Sequence, residues 1–217
     1  MKIAPEGIPF IGFFFVLTGV VFFALSTRHS MYWALIPLVL TLFMVYFFRD
    51  PQRTVPTEAG YISPADGRVL LVEEPVDDMV FLHRDVKMLS IFMSPLNVHV
   101  NRAPCSGTVK LVKHKPGSFK AAYHKEAPWK NESTSMVLAC DSGAELLVRQ
   151  VAGAIARRTV CRVKEGDRLE RGDRYGMIKF SSRVDVYLPL EAEVLVKVGQ
   201  IVKAGETLIA RMPGEGR

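Results

Sequence analysis

The stretch Tyr175-Gly-Met-Ile-Lys-Phe-Ser181-Ser182-Arg183-Val-Asp185-Val-Tyr-Leu-Pro189 sets two serines between apolar, β-prone runs. Val184, Val186 and Leu188 alternate with Asp185 and Tyr187, which is the period of a strand. A serine there reads either as a polar turn residue or as a nucleophile, and a serine nucleophile needs a base because its hydroxyl is weak at its free pKa. His99 alternates with Val98 and Val100 in a strand–break–strand segment, residues 88–100, and so points to the face opposite both valines. Asp66 stands at the Asp-Gly corner of Ser63-Pro64-Ala65-Asp66-Gly67, a turn leading into a strand. Taken singly, each has a structural reading: His99 as a packed or solvated strand residue, Asp66 as a turn residue bonding its own backbone.

The elements that must position these residues are mostly strands. Residues 136–163 read as three short strands with Gly143 and Gly153 at turns, and residues 115–135 as a long loop. No convincing amphipathic helix follows residue 50, with a short stretch near Ala121–Tyr123 as the one exception. Val163-Lys-Glu-Gly166-Asp-Arg-Leu169-Glu-Arg-Gly172-Asp173 recurs 33 residues later as Val196-Lys-Val-Gly199-Gln-Ile-Val202-Lys-Ala-Gly205-Glu206. Glycines at turns with an apolar residue between them suit short strands joined by tight turns. The repeat resembles the half-motifs of biotinyl and lipoyl carrier domains, which implies a mainly β fold, a flattened barrel or sandwich with pseudo-twofold symmetry. In those carriers a lysine is modified between the half-motifs; here that interval holds Ser181-Ser182.

The N-terminal residues differ in character. Residues 8–26 and 31–48 are almost uncharged, with Arg28 and His29 between them. A cleaved leader would not need the second run, whereas a transmembrane helical hairpin does. Residues 1–50 are expected to form that hairpin and residues 51–217 a β-rich catalytic domain. A hairpin puts Lys2, Arg49 and Arg53 on one side, which the positive-inside rule makes cytoplasmic, at the cell (inner) membrane. Residues 49–217 carry 26 Lys/Arg against 21 Asp/Glu, a charge of +5 suited to an anionic membrane surface. No basic stripe with interleaved aromatics points to nucleic acid. Cys105, Cys140 and Cys161 are odd in number and form no C-x-x-C pair, so reduced thiols are the expectation for a cytosol-facing domain.

Read in order, the motifs resemble those of phosphatidylserine decarboxylases of the short, bacterial and archaeal type. They are the apolar hairpin, Ser63-Pro64-Ala65-Asp66-Gly67, Ser94-Pro95…Asn97-Val98-His99-Val100…Pro104-Cys105-x-Gly107 and Pro116-Gly117-Ser118-Phe119. Asn131-Glu132, Gln150 to Arg157, Arg171-Gly172-Asp173-x-x-Gly176 and Phe180-Ser-Ser182-Arg183-Val-Asp185 follow. The resemblance covers nearly the whole chain.

It implies a self-cleaving proenzyme whose serine becomes an N-terminal pyruvoyl group. Decarboxylation of an amino acid needs an electron sink, and a pyruvoyl carbonyl provides one by forming a Schiff base with the substrate amine. By matching position Ser182 is the pyruvoyl precursor and the cleavage site is Ser181-Ser182, giving a β chain of 1–181 and an α chain of 182–217. The resemblance assigns His99 as base and Asp66 as the group that fixes the imidazole. Longer members carry a second histidine where Arg102 stands, so Arg102 is a candidate ligand for the substrate phosphate, with Asn131 and Glu132 as further substrate contacts. The implied partners are phosphatidylserine in the bilayer and the two chains of one precursor, with a homo-oligomer left open.

Two departures stand out. Ser181 replaces the usual glycine, and Ser133 replaces the arginine of an Asn-Glu-Arg triplet. Three other functions are weighed. A decarboxylase of an archaeal-type ether lipid would use the same residues. A zinc peptidase would need a His-x-His pair, which His83, His99, His114 and His124 do not form, so no metal site is expected. A non-enzymatic carrier domain lacks the lysine and leaves Asp66, His99 and Ser182 unexplained.

Overall fold

The computed structural model describes residues 2–24, 30–78, 80–118, 130–153, 158–179 and 182–214. It divides into two compact units, Met1–Gln52 and Arg53–Arg217.

In the first unit β1 (Lys2–Ile3) leads through a short turn into α1 (Ile8–Ala24); α2 (Ser30–Phe47) follows, then β2 (Arg49–Asp50). β1 and β2 pair antiparallel, Lys2 opposite Asp50, which brings the two ends of this unit together. Helix α1 is apolar all round and buries none of its residues, and its Phe13, Phe15, Val16 and Phe23 are exposed. That is the surface of a helix suited to lipid. Among the described residues one helix, Pro5–Ala24, is long and apolar enough to cross a membrane, and the apolar helix Tyr32–Phe47 is shorter. Pro37 lies inside α2, which runs through it.

The second unit is β throughout its described elements. Its strands are β3 (Tyr61–Ile62), β4 (Gly67–Asp78), β5 (Arg84–Met93), β6 (Val100–Arg102), β7 (Gly107–Lys115), β8 (Ser133–Cys140) and β9 (Glu145–Ala152). They continue as β10 (Arg158–Cys161), β11 (Arg168–Leu169), β12 (Arg174–Lys179), β13 (Ser182–Pro189), β14 (Glu193–Val194), β15 (Ile201–Val202) and β16 (Leu208–Arg211). One antiparallel sheet runs β11-β7-β8-β9-β13-β5-β4-β15, with two smaller ones, β10-β12-β6 and β14-β16-β3. The core packs Val184, Val186 and Leu188 of β13 against Leu89, Ile91, Leu138, Leu146 and Val148. Every residue of β13 is buried, as befits a central strand covered on both faces.

The sequence repeat is a structural repeat. β11 pairs with the start of β7, and β15 with the start of β4, so the copies cap opposite edges of the large sheet. Gly166 N donates to Val109 O and Gly199 N to Val69 O; Gly172 N donates to Ala103 O and Gly205 N to Ser63 O. All four glycines have positive φ, between 79° and 93°, a conformation that costs glycine little and a side-chain-bearing residue more.

The three strands expected over 136–163 are β8, β9 and β10, with Gly143 at the first turn. Of the expected loop over 115–135, residues 119–129 lie outside the described residues; Lys115 still belongs to β7, and β8 starts at Ser133. The cysteines depart from expectation: Cys105 and Cys140 form a disulfide, and Cys161 is free. The ladder explains the encounter, because Cys140 lies opposite Gly107, two residues from Cys105.

Candidate active site

Ser182 is the first residue of β13 and fully buried, opposite Met93 of β5 and Ala152 of β9. Its hydroxyl lies 3.4 Å from Met93 Sδ. Ser181 lies outside the described residues.

The Ala152 side is clamped by the Asn-Glu pair. Asn131 Nδ2 donates to Ala152 O at 2.7 Å, and Ala152 N donates to Glu132 O at 2.9 Å. Both backbone groups of the residue opposite Ser182 are thereby fixed. The Glu132 carboxylate accepts from Thr159 N at 3.0 Å. Gly117 packs directly on this pair, because a Cβ there would stand 2.4 Å from the Asn131 carbonyl carbon. Asn131 and Glu132 therefore hold the strand end opposite Ser182.

The Met93 side leads to the histidine. β5 ends at Met93, and Asn97 Oδ1 accepts from both Ser94 N and Ser94 Oγ, at 2.8 and 2.9 Å, which closes the turn. His99, fully buried, places Nδ1 3.0 Å from Asn97 O. A carbonyl only accepts, so Nδ1 carries the proton and Nε2 is the basic nitrogen of the neutral ring.

Asp66 is held differently from the expectation. Arg53 Nη2 donates to both its carboxylate oxygens, at 2.9 and 2.8 Å, and Ala204 N donates to Oδ1 at 2.8 Å. None of its described hydrogen bonds goes to His99, whose ring is oriented by the Asn97 carbonyl instead. Arg53 Nη1 also reaches Glu206 at 3.5 Å. Arg102 is buried, and its Nη1 donates to Gly172 O at 2.9 Å, inside the repeat's turns.

Sequence reasoning missed Asn101. Its Oδ1 accepts from Gln150 Nε2 at 2.8 Å, while its Nδ2 lies 3.4 Å from Pro64 O and 3.8 Å from Met93 Sδ. One buried amide thus joins the turn bearing Asp66, the residue beside Ser182 and strand β9. The sequence offered only a polar residue beside Val100; the burial of that run shows in the structure alone. Arg183 and Asp185 were noticed only for their spacing. They form a buried cluster with Ser90, Arg183 Nε to Asp185 Oδ1 at 2.5 Å, and Ser90 Oγ to the same oxygen at 2.6 Å. Burial, and after it the Asp185 charge, raises the Tyr187 phenol well above its ordinary pKa, so its hydroxyl stays protonated where it accepts from Arg149 Nη1 at 3.0 Å.

Ser182 thus heads a central strand, and the turn after the neighbouring strand holds a buried histidine whose Nδ1 faces a backbone carbonyl. The sequence profile of the phosphatidylserine decarboxylase family matches residues 40–210, and the chain belongs to that family of enzymes, carboxy-lyases of phospholipid metabolism. The phosphatidylserine decarboxylase proenzyme of Nitratidesulfovibrio vulgaris is 46% identical over 217 residues, covering 100% of this chain and 97% of that one. That of Ralstonia nicotianae is 46% identical over 211 residues, covering 97% and 95%. That of Salinibacter ruber is 45% identical over 174 residues, covering 79% and 76%.

Proposed function

We propose that the chain cuts itself between Ser181 and Ser182 and decarboxylates phosphatidylserine to phosphatidylethanolamine through a pyruvoyl group made from Ser182. The observation that carries the reading is the burial of Ser182 at the head of β13, beside the turn that fixes His99. His99 Nε2 takes the hydroxyl proton, and Ser182 Oγ attacks the carbonyl of residue 181, turning amide into ester. Elimination then leaves a carboxylate on residue 181, and hydrolysis consumes water and releases the nitrogen of residue 182 as ammonia.

The surroundings suit such a group. An α chain beginning at 182 would stay in place, because β13 is laddered to β5 and β9 and β16 to β3. The pyruvoyl carbonyl would supply the electron sink that no side chain provides. The chain's own residues would position the head group: Asn131 and Glu132 keep Ala152 against residue 182, and Arg102 is the candidate for the substrate phosphate. Asp66 would act through the turn it shares with Pro64, whose carbonyl lies 3.4 Å from Asn101 Nδ2.

Residues 1–50 would anchor the domain at the cytoplasmic face of the cell membrane, and the two half-motifs make a relation to biotinyl and lipoyl carriers the favoured account of the fold. A decarboxylase of an ether-lipid serine head group would use the same residues, so purified protein should be offered both lipids. Hydroxylamine or phenylhydrazine should abolish activity by capturing the ketone, and a chelator should not. Activity indifferent to both carbonyl reagents would sink the reading.

A further inference from the structure

A cavity of about 280 Å³ lies in the second unit, lined by Val80, Phe81, Lys113, His114, Lys115, Pro116, Ser133, Ser135 and Arg149. None of these described lining residues is acidic, and three carry a full positive charge. Strand register explains the gathering. Lys113 lies opposite Ser135 and Lys115 opposite Ser133 between β7 and β8, and Ser135 lies opposite Arg149 between β8 and β9. Paired residues share a face, so two lysines, two serines and an arginine converge on one side of the sheet. Among the described residues, β11 pairs with β7 only at its start, Arg168 opposite Thr108 and Leu169 opposite Gly107.

The deepest member is Arg149, which is 4% exposed. Its Nε donates to Ser135 Oγ at 3.2 Å, and its guanidinium stands 5.5 Å from the Phe81 ring centroid. Lys113 and Lys115 are exposed at the rim. The chemistry is that of an oxyanion: a buried guanidinium, two hydroxyls and two ammonium groups. Val80, Phe81 and Pro116 add an apolar wall for whatever the anion is attached to.

This cavity is separate from the serine site. Ser133, Ser135 and Arg149 share the face of Arg183 and Asp185, and Ser182 points to the other face. β8 and β13 are two strand spacings apart, roughly 10 Å. In a phosphoserine head group the phosphorus is only three bonds from the serine Cα, roughly 4 Å, a shorter span than that strand separation.

We infer that this cavity is a second binding site, taking a phosphate group borne by an anionic phospholipid or free in solution. The test uses full-length protein in non-ionic detergent, titrated calorimetrically with dihexanoylphosphatidylglycerol and, separately, with inorganic phosphate. The variant is K113Q/K115Q, with K164Q/K197Q as the control for lost surface charge. Saturable binding that K113Q/K115Q weakens tenfold or more, and the control leaves unchanged, supports the site. Response to the lipid alone identifies a head group, and response to both a free anion. The same titrations on Ser182→Ala protein should give unchanged affinity, which makes the result independent of self-processing and of the function proposed above. Absence of saturable binding by either probe, or equal binding by K113Q/K115Q and wild type, overturns the inference.

Discussion

The carboxylate of Asp66 is bound by the guanidinium of Arg53, through one nitrogen to both oxygens at 2.9 and 2.8 Å. Arg53 is the first residue of the second unit, so the segment just after the apolar hairpin supplies the cation for the acid at the Pro-Ala-Asp-Gly turn. Both side chains are nearly buried, at 8% and 12% exposure. Removing one partner of such a pair leaves an uncompensated charge and costs about 3 kcal/mol. Arg53→Gln should therefore lower stability by about that amount in denaturant melts and slow self-cleavage. The double change with Asp66→Asn should cost clearly less than the sum of the singles. Additive effects would separate Arg53 from Asp66.

The Arg183–Asp185–Ser90 cluster should be structural and severe to break. Asp185→Leu strands Arg183 in the sheet and should destabilise by about 3–5 kcal/mol, while Ser90→Ala removes a charge-assisted hydrogen bond and should cost about 1.5–3 kcal/mol. Thermal melts of both proteins check the ranking. A wild-type melt for Asp185→Leu would mean that the pair is dispensable.

The thiols give a chemical count. Unfolded without reductant, the protein should alkylate once, at Cys161, and three times after reduction. In the folded state burial raises the Cys161 thiol pKa. A raised pKa means less thiolate at a given pH, so alkylation of Cys161 should be slow at neutral pH and speed up as pH rises. Three alkylated cysteines in the unreduced sample would remove the disulfide.

The anchoring role proposed for residues 1–50 makes a prediction. Deleting residues 1–48 leaves the unit that begins at Arg53, which should fold. It should keep activity on detergent-dispersed phosphatidylserine and lose most of it on vesicles. Equal activity of both proteins on vesicles would take the anchor out of the mechanism.

Much of this architecture was legible because it follows from local rules. The period-2 run Val184-Val186-Leu188 is a core strand, and the repeated glycines at 166, 172, 199 and 205 are all turns with positive φ. The sequence also carried the Asn131-Glu132 pair, but only the ladder revealed that it clamps Ala152. What remained hidden depends on long-range register. Arg53 reaches Asp66 across 13 residues, Gln150 reaches Asn101 across 49, and Cys105 finds Cys140 across 35. No local periodicity encodes such meetings. The resemblance brought His99 and Asp66 to notice together, yet the structure gives each its own partner, a backbone carbonyl and an arginine.

The central claim is that Ser182 ends as the first residue of a separate chain, and the intact mass spectrum of the purified full-length protein reads it directly. Two polypeptides are expected, residues 1–181 and 182–217, the smaller one lighter than its sequence by one ammonia, and a single uncut chain for Ser182→Ala. A single uncut chain from active wild-type protein, or a Ser182→Ala protein still split at the same bond, would contradict it.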